Sequence, residues 1–136
     1  MKGKKVKFII IDDSELDCFI AEKLVRHSGI STDIKTFLQA SEALEYIKNN
    51  NDSDEACTII LIDILMPLMN GMEFVEEFER LPQYLRERHI IVAFTSSMNK
   101  KDKGAMENYE SVKFLFDKPL SPEIFPLILE YCHVAG

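Results

Sequence analysis

The sequence offers little from which a covalent framework, a membrane span or a nucleic-acid surface could be built. Only three cysteines occur, Cys18, Cys57 and Cys132. They are odd in number, far apart in the chain and lack the spacing of a metal knuckle, which gives no disulfide scaffold and suits a reducing compartment, with the cytoplasm as the expected location. No apolar run is long enough to span a bilayer. The opening "MKGKKVKFIII" starts basic and turns apolar, but it meets Asp12 and Asp13 at once and has no small-residue cleavage site, so it reads as a strand and not a leader. Basic charge is scarce as well. The 16 Lys and Arg stand against 23 Asp and Glu, for a formal net charge of −7. Outside the stretches from Lys2 to Lys7 and Lys100 to Lys103 the lysines are dispersed, so direct contact with DNA or RNA is not expected. A G-x-x-x-x-G-K-[ST] loop is missing, which excludes a P-loop nucleotide site. With 136 residues, 46% of them hydrophobic, and no repeat or linker, the chain is expected to form one domain over 1–136, with no output domain after its last helix.

What is present is an alternation of strand and helix patterns. Val6 to Ile11 is a continuous β-branched and aromatic run, the pattern of a strand covered on both faces. Ser14 then offers an N-cap, and Leu16, Ile20 and Leu24 recur at helical spacing until Gly29. Thr32 to Phe37 reads as a second strand. Ala40, Ala43, Leu44 and Ile47 form one apolar helical stripe that ends in the polar loop "NNNDSDE". Thr58 to Ile62 is a third strand, followed by a helix with Phe74, Phe78 and Leu81 inward. His89 to Phe94 and Val112 to Phe116 complete five strands, and "NKKDKGAMENY" between them allows only a short or irregular helix because of Gly104. Ser121 and Pro122 open a last helix with Ile124, Leu127, Ile128 and Tyr131 on one side, and Pro126 predicts a bend or a late start. Five strands alternating with five helical segments specify an α/β domain with a parallel sheet and helices on both faces.

In such a sheet, sites form beyond the carboxyl ends of the strands. The first strand ends in Asp12 and Asp13, the third in Asp63, the fourth in Thr95 and Ser96, and the fifth in Lys118 and Pro119, so all four sets fall at one edge. Carboxylates 4 Å apart repel by about 4 kcal/mol per pair at an effective dielectric near 20, so this cluster calls for a cation. Oxygen ligands favour Mg²⁺ over zinc or copper. A metal, a lysine, a hydroxyl and one nucleophilic carboxylate are what phosphoryl transfer requires, because that chemistry is mostly positioning and charge neutralisation.

The segments "IIIDDSE", "LIDILMPLMNGMEF", "IVAFTSS" and "FLFDKPL" resemble, in order, the signature segments of two-component response-regulator receiver domains, over almost the whole chain. The resemblance implies a flavodoxin-like, doubly wound sheet of strand order 2-1-3-4-5. It implies that Asp63 is the phospho-acceptor, and that Asp12, Asp13, Asp63 and the backbone carbonyl of Leu65 hold Mg²⁺. Thr95 would bond a phosphoryl oxygen, Lys118 would pair with it, and Pro67 and Gly71 would form the turn after the acceptor. The expected partner is a sensor histidine kinase or a histidine phosphotransfer protein, and the expected product is a phosphoprotein that signals through protein contact as a monomer or weak dimer. It would be no enzyme beyond catalysing its own phosphorylation and dephosphorylation.

Two departures from the family pattern stand out, one at a single position and one at a pair. Leu115 stands where receivers commonly carry Tyr or Phe as a rotameric switch. Strand alternation is expected to turn Phe114 and Phe116 inward and leave Leu115 on an outward face that serves as the output surface. Leu65 and Ser97 flank the acceptor, and an apolar Leu65 is expected to slow the loss of phosphate. Two rival readings share part of this pattern. A pseudo-receiver would keep the fold without phosphorylation. A haloacid-dehalogenase-like phosphatase also uses an aspartyl phosphate, but it needs a D-x-D pattern that "IDDSE" lacks.

Overall fold

The β-branched runs beginning at Val6, Thr58 and His89 need cover on both faces, and the chain supplies it from helices on either side of one sheet. The computed structural model describes residues 6–49, 57–64, 66, 68–95, 100–118 and 120–135. Along the chain these form β1 (Val6–Ile11), α1 (Glu15–Ser28), β2 (Ile34–Phe37), α2 (Ala40–Asn49), β3 (Cys57–Asp63), α3 (Gly71–Glu79), α4 (Gln83–Arg86), β4 (His89–Thr95), α5 (Lys100–Glu107), β5 (Val112–Asp117) and α6 (Ile124–Ala135). The five strands form one sheet of order β2-β1-β3-β4-β5, with every pairing parallel. This is the α/β, flavodoxin-like architecture that the sequence implies.

Alternation along the strands divides the core into two layers. Ile9, Ile11, Ile60, Ile62, Ile91 and Ala93 face α2, α3, α4 and α5. Phe8, Ile10, Ile59, Leu61, Val92 and Phe94 face α1 and α6. The α2 stripe of Ala40, Ala43, Leu44 and Ile47 is buried as its spacing requires, as are Phe74 and Phe78 in α3 and Leu81 after it. At α1, Ser14 accepts a hydrogen bond from the Asp17 amide at 3.2 Å, and Gly29 closes the helix at φ 80. Both ends are where the sequence placed them.

Several expectations are corrected. The buried face of α1 is Cys18, Ala21 and Val25, whereas Leu16 and Ile20 are exposed and Leu24 is half-buried. The helix carries two apolar stripes, and the one with small side chains packs against the sheet because it permits the closer approach. In α6 the buried side is Ile124, Phe125, Ile128 and Cys132, while Leu127 points to solvent. That helix does start late, two residues beyond Pro122, after turns closed by the Ile124 and Phe125 amides. Strand β2 is shorter than expected, because Ser31 and Asp33 form a local turn in which the Asp33 amide donates to Ser31 Oγ at 3.0 Å. The short α4 was not anticipated: four residues carry no periodicity to read. It seats Leu85, whose carbonyl lies 2.7 Å from His89 Nδ1, and burial pushes that imidazole below its ordinary pKa.

Strand β5 also differs. A register shift opposite Ile91 and Val92 leaves Lys113 exposed between Val112 and Phe114. Phe114 and Phe116 then pack towards α6, with Phe114 edge-on to Tyr131. Leu115 is not on an open face; it is half-buried against the layer that contains Ala93 and Met106. The sheet is covered on both sides here, so alternation separates two cores and not a core from solvent.

Gly71 begins α3, where Asn70 and Glu73 form a reciprocal capping box. Its amide donates to the Ile64 carbonyl at 2.8 Å, which ties α3 to the end of β3. A Cβ at Gly71 would lie 2.8 Å from Ile64 Cα and 3.0 Å from the Asp63 carbonyl oxygen, both backbone atoms. Gly71→Ala is therefore expected to destabilise the domain by about 1–3 kcal/mol through overpacking. Gly104, inside α5, has nothing within 4 Å of such a Cβ, so Gly104→Ala is expected to stabilise by about 0.5–1 kcal/mol through helix propensity. Urea denaturation of the two variants beside wild type checks both signs.

Candidate functional site

Parallel register brings the ends of β1, β3, β4 and β5 to one edge of the sheet. Ile11 is paired with Ile62, Asp63 with Phe94 and Thr95 with Asp117. Asp12, Asp63 and Lys118 thus lie at or one residue beyond the ends of β1, β3 and β5. They also continue the alternation that faces α1 and α6, the side on which Phe8, Ile10, Leu61 and Phe116 lie. Asp12 and Asp63 are buried and Asp13 is exposed. One carboxylate oxygen from each of the three lies within 4.8 Å of the others. Such a set of hard oxygen donors fits a single hard divalent cation of the Mg²⁺ type.

Lys118 sits against this cluster. Its ammonium lies 2.8 Å from Asp12 Oδ2, 2.9 Å from Asp17 Oδ2 and 3.4 Å from Asp63 Oδ2. Burial alone would lower its pKa, but the hydrogen bonds to Asp12 and Asp17 and the charges of Asp63 and Asp12 outweigh that, and the ammonium is held above the usual lysine range. The backbone fixes the same residue: the Lys118 amide donates to the Thr95 carbonyl at 2.9 Å. Thr95 is fully buried at the end of β4, so the hydroxyl and the lysine are positioned by one strand pair. Asp12 is held too, its Oδ1 accepting from the Ser14 amide at 3.0 Å.

Asp17 is the member that the sequence reading missed. It lies in the first turn of α1, and the signal that could have found it is its spacing: five residues after Asp12, it comes back over the strand end on the face of α1 next to Cys18 and Ala21. Its side chain is 42% exposed, so its pair with Lys118 contributes under about 1 kcal/mol and mainly sets where the ammonium rests. Cys18, beside it, donates its thiol to the Asp12 carbonyl at 3.3 Å. Burial and the charge of Asp12 push that thiol up to about 11, which makes it an inert spacer at neutral pH.

A cavity of about 360 Å³ runs from this cluster under α1, lined by Asp12, Asp17, Asp63, Lys118, Ile20 and Leu120 among others. Beyond β3 the chain passes through Leu68, exposed and at φ 68, a conformation that a leucine adopts only when its surroundings impose it. Of the expected site residues, Asp12, Asp13, Asp63 and Lys118 converge, and Thr95 is buried at the end of β4 with its backbone carbonyl on the Lys118 amide. Leu65, Pro67, Ser96, Ser97 and Pro119, the "NNNDSDE" loop after Asn49 and the first lysines fall outside the described residues. No helix among the described residues is long and apolar enough to cross a membrane.

Known proteins share this frame. A receiver protein from Dyadobacter fermentans is 33% identical and superimposes with a TM-score of 0.82, over 96% of this chain and 97% of that one. A two-component response regulator from Cytophaga hutchinsonii, 22% identical, has the same fold with a TM-score of 0.82 over 96% and 98% of the two chains. The sensor histidine kinase CheAY of Helicobacter pylori is 30% identical over 123 residues, which are 90% of this chain and 14% of that protein, so the chain spans only a small part of that relative. The family model of the response regulator receiver domain matches residues 8–128, and with the acidic edge and its lysine on the same sheet, the chain belongs to that family, a receiver domain of two-component signalling.

Proposed function

We propose that Asp63 accepts a phosphoryl group from a phosphohistidine of a sensor histidine kinase or histidine phosphotransfer protein, in a Mg²⁺-dependent reaction, and that the chain catalyses no reaction but this transfer and the hydrolysis of the resulting aspartyl phosphate to inorganic phosphate. The observation that carries the reading is the position of Lys118, within ion-pair distance of both Asp12 and Asp63, beside three carboxylates that meet within 4.8 Å. Mg²⁺, when bound, supplies charge neutralisation between the carboxylates and the incoming phosphoryl oxygens. The protein does the rest by positioning. An Asp63 oxygen bonds to phosphorus as the phosphorus–nitrogen bond of the donor breaks, and the electron pair of that bond stays on the histidine nitrogen, which leaves as part of a neutral ring because the other ring nitrogen carries a proton. Lys118 is already beside Asp63 and moves little to reach a phosphoryl oxygen. The Thr95 hydroxyl, at the end of the adjacent strand, is the donor for another.

The surface of α1 supports a protein donor. Leu16, Phe19 and Ile20, three and four residues apart, are exposed, and Ile20 and Asp17 line the same cavity as Asp63. An apolar patch of this kind at the mouth of a charged site fits a helical donor that presents its histidine to the cluster. The signal then passes through Thr95 and the segment after β4, without an aromatic swing at Leu115, since the aromatic side chains of β5 pack on the opposite layer. A pseudo-receiver would have no need of this charge arrangement, and a haloacid-dehalogenase-like phosphatase would need its nucleophile after β1.

Three outcomes test the reading. Incubation with Mg²⁺ and a small-molecule phosphodonor should give one phosphate adduct by intact mass, and Asp63→Asn should abolish it with an unchanged circular-dichroism spectrum; stoichiometric labelling of that variant would move the acceptor elsewhere. Mg²⁺ should raise the melting temperature by linkage, by about 2.7 kcal/mol of stability at a hundredfold excess over Kd, and Asp13→Ala should remove most of that rise. Lys118→Met leaves Asp12 and Asp63 without their cation. At pH 7 without metal it should cost about 2–3 kcal/mol, and Mg²⁺ should stabilise the variant by more degrees than it stabilises wild type. An equal Mg²⁺ response in the two proteins would show that Lys118 does not neutralise the metal site.

A further inference from the structure

The sheet edge opposite the acidic cluster carries a pair of thiols that the sequence keeps 75 residues apart. Cys57 opens β3, where it is paired with Val6 at the start of β1. Cys132 lies in α6, on the buried side with Phe125 and Ile128. Their sulfur atoms are 2.7 Å apart, close to the about 2.05 Å of an S–S bond, although both are thiols in this structure. The cysteines were expected to be dispersed; the packing of α6 across β3 brings two of them together. Cys18 takes no part, since it lies at the other end of the sheet against the Asp12 carbonyl.

From this juxtaposition we infer that Cys57 and Cys132 form a reversible intramolecular disulfide under a hydroperoxide, a modification site separate from the phosphoryl chemistry. Cys57 is half-buried and Cys132 buried, so the oxidant meets Cys57 first. The Cys57 sulfur attacks a peroxide oxygen, the O–O bond breaks, and a sulfenic acid forms with release of water or the alcohol. The Cys132 sulfur then displaces that hydroxyl as a second water. Two thiol protons and two electrons have passed to the peroxide, and a dithiol reductant returns them by exchange.

The bond joins the start of β3 to the last turns of α6. Its first effect is on stability, because closing a loop of that length removes conformations from the unfolded chain. Its second effect is local, since it fixes the carboxyl-terminal half of α6, which covers Phe114 through Tyr131. The acceptor edge is left alone. Asp63 is six residues from Cys57 along β3, roughly 20 Å at the rise of a strand.

The test treats the native full chain with hydrogen peroxide, removes the oxidant, unfolds the protein in denaturant to block every remaining thiol with an alkylating agent, and reads intact mass and a peptide map. Expected are the loss of the mass of two hydrogens, a single remaining alkylation at Cys18, a peptide cross-linked between Cys57 and Cys132, and full reversal by dithiothreitol. The oxidised protein should melt at least about 5 °C higher than the reduced one, and Cys57→Ser and Cys132→Ser should each lose both the cross-link and the rise. The phosphate adduct should form on oxidised and reduced protein alike, so a protein that takes no phosphate but does form the bond sinks only the phosphorelay reading. Stable sulfinic acid at Cys57 with Cys132 still alkylatable, or a cross-link to Cys18 or between chains, would overturn the inference.

Discussion

The neutralisation of buried carboxylates by Lys118 is the interaction on which the rest of this structure depends. Asp12 and Asp63 are each more than nine-tenths buried, and an ionised carboxylate in such a place costs several kcal/mol unless it is paired. The pairing cannot be local, since the lysine lies 106 residues after Asp12 and 55 after Asp63. It requires β1, β3 and β5 to end at the same height on the same face. The parallel order β2-β1-β3-β4-β5 provides this, and the Lys118 amide on the Thr95 carbonyl locks the last strand into that register.

The cost of this edge explains its surroundings. Small residues in α1, Cys18 and Ala21, let the helix come close enough for Asp17 to share the lysine. Gly71 lets the chain pass against Asp63 and Ile64 without a side chain in the way, and the capping box at Asn70 starts α3 at once. The opposite edge, where the strands begin, holds the Lys7–Asp33 ion pair at 4.0 Å and the adjacent thiols of Cys57 and Cys132. Cys57 and Asp63 thus stand at the two ends of one strand, β3.

A domain built this way has a ready means of responding at its charged edge. Under the proposed function, a phosphoryl group there would compete, as a dianion, with Asp12 and Asp17 for the same ammonium. The Thr95–Lys118 backbone bond and the close-packed side chains around it would carry such a change to β4 and β5. Strand β5, at the edge of the sheet, carries the bulge at Lys113 and the half-buried Leu115.

Much of this was legible in the residues. Strand runs with both faces apolar, caps at Ser14 and Gly29, and polar residues at the ends of four of the five strands are local patterns, and the periods of 2 and 3.6 determine them without knowledge of the fold. The residues Asp12, Asp13, Asp63, Thr95 and Lys118 could be grouped because a parallel sheet puts all carboxyl ends at one edge. What the sequence could not determine was which of two apolar stripes on α1 is buried, which side of α6 Leu127 takes, or that Leu115 has a core of its own. Those choices depend on side-chain volume and on what lies opposite, which only the assembled layers specify. The same is true of Asp17 and of the cysteine pair. Proximity between residues 75 or 101 apart in the chain is a property of packing, and no spacing in the sequence encodes it.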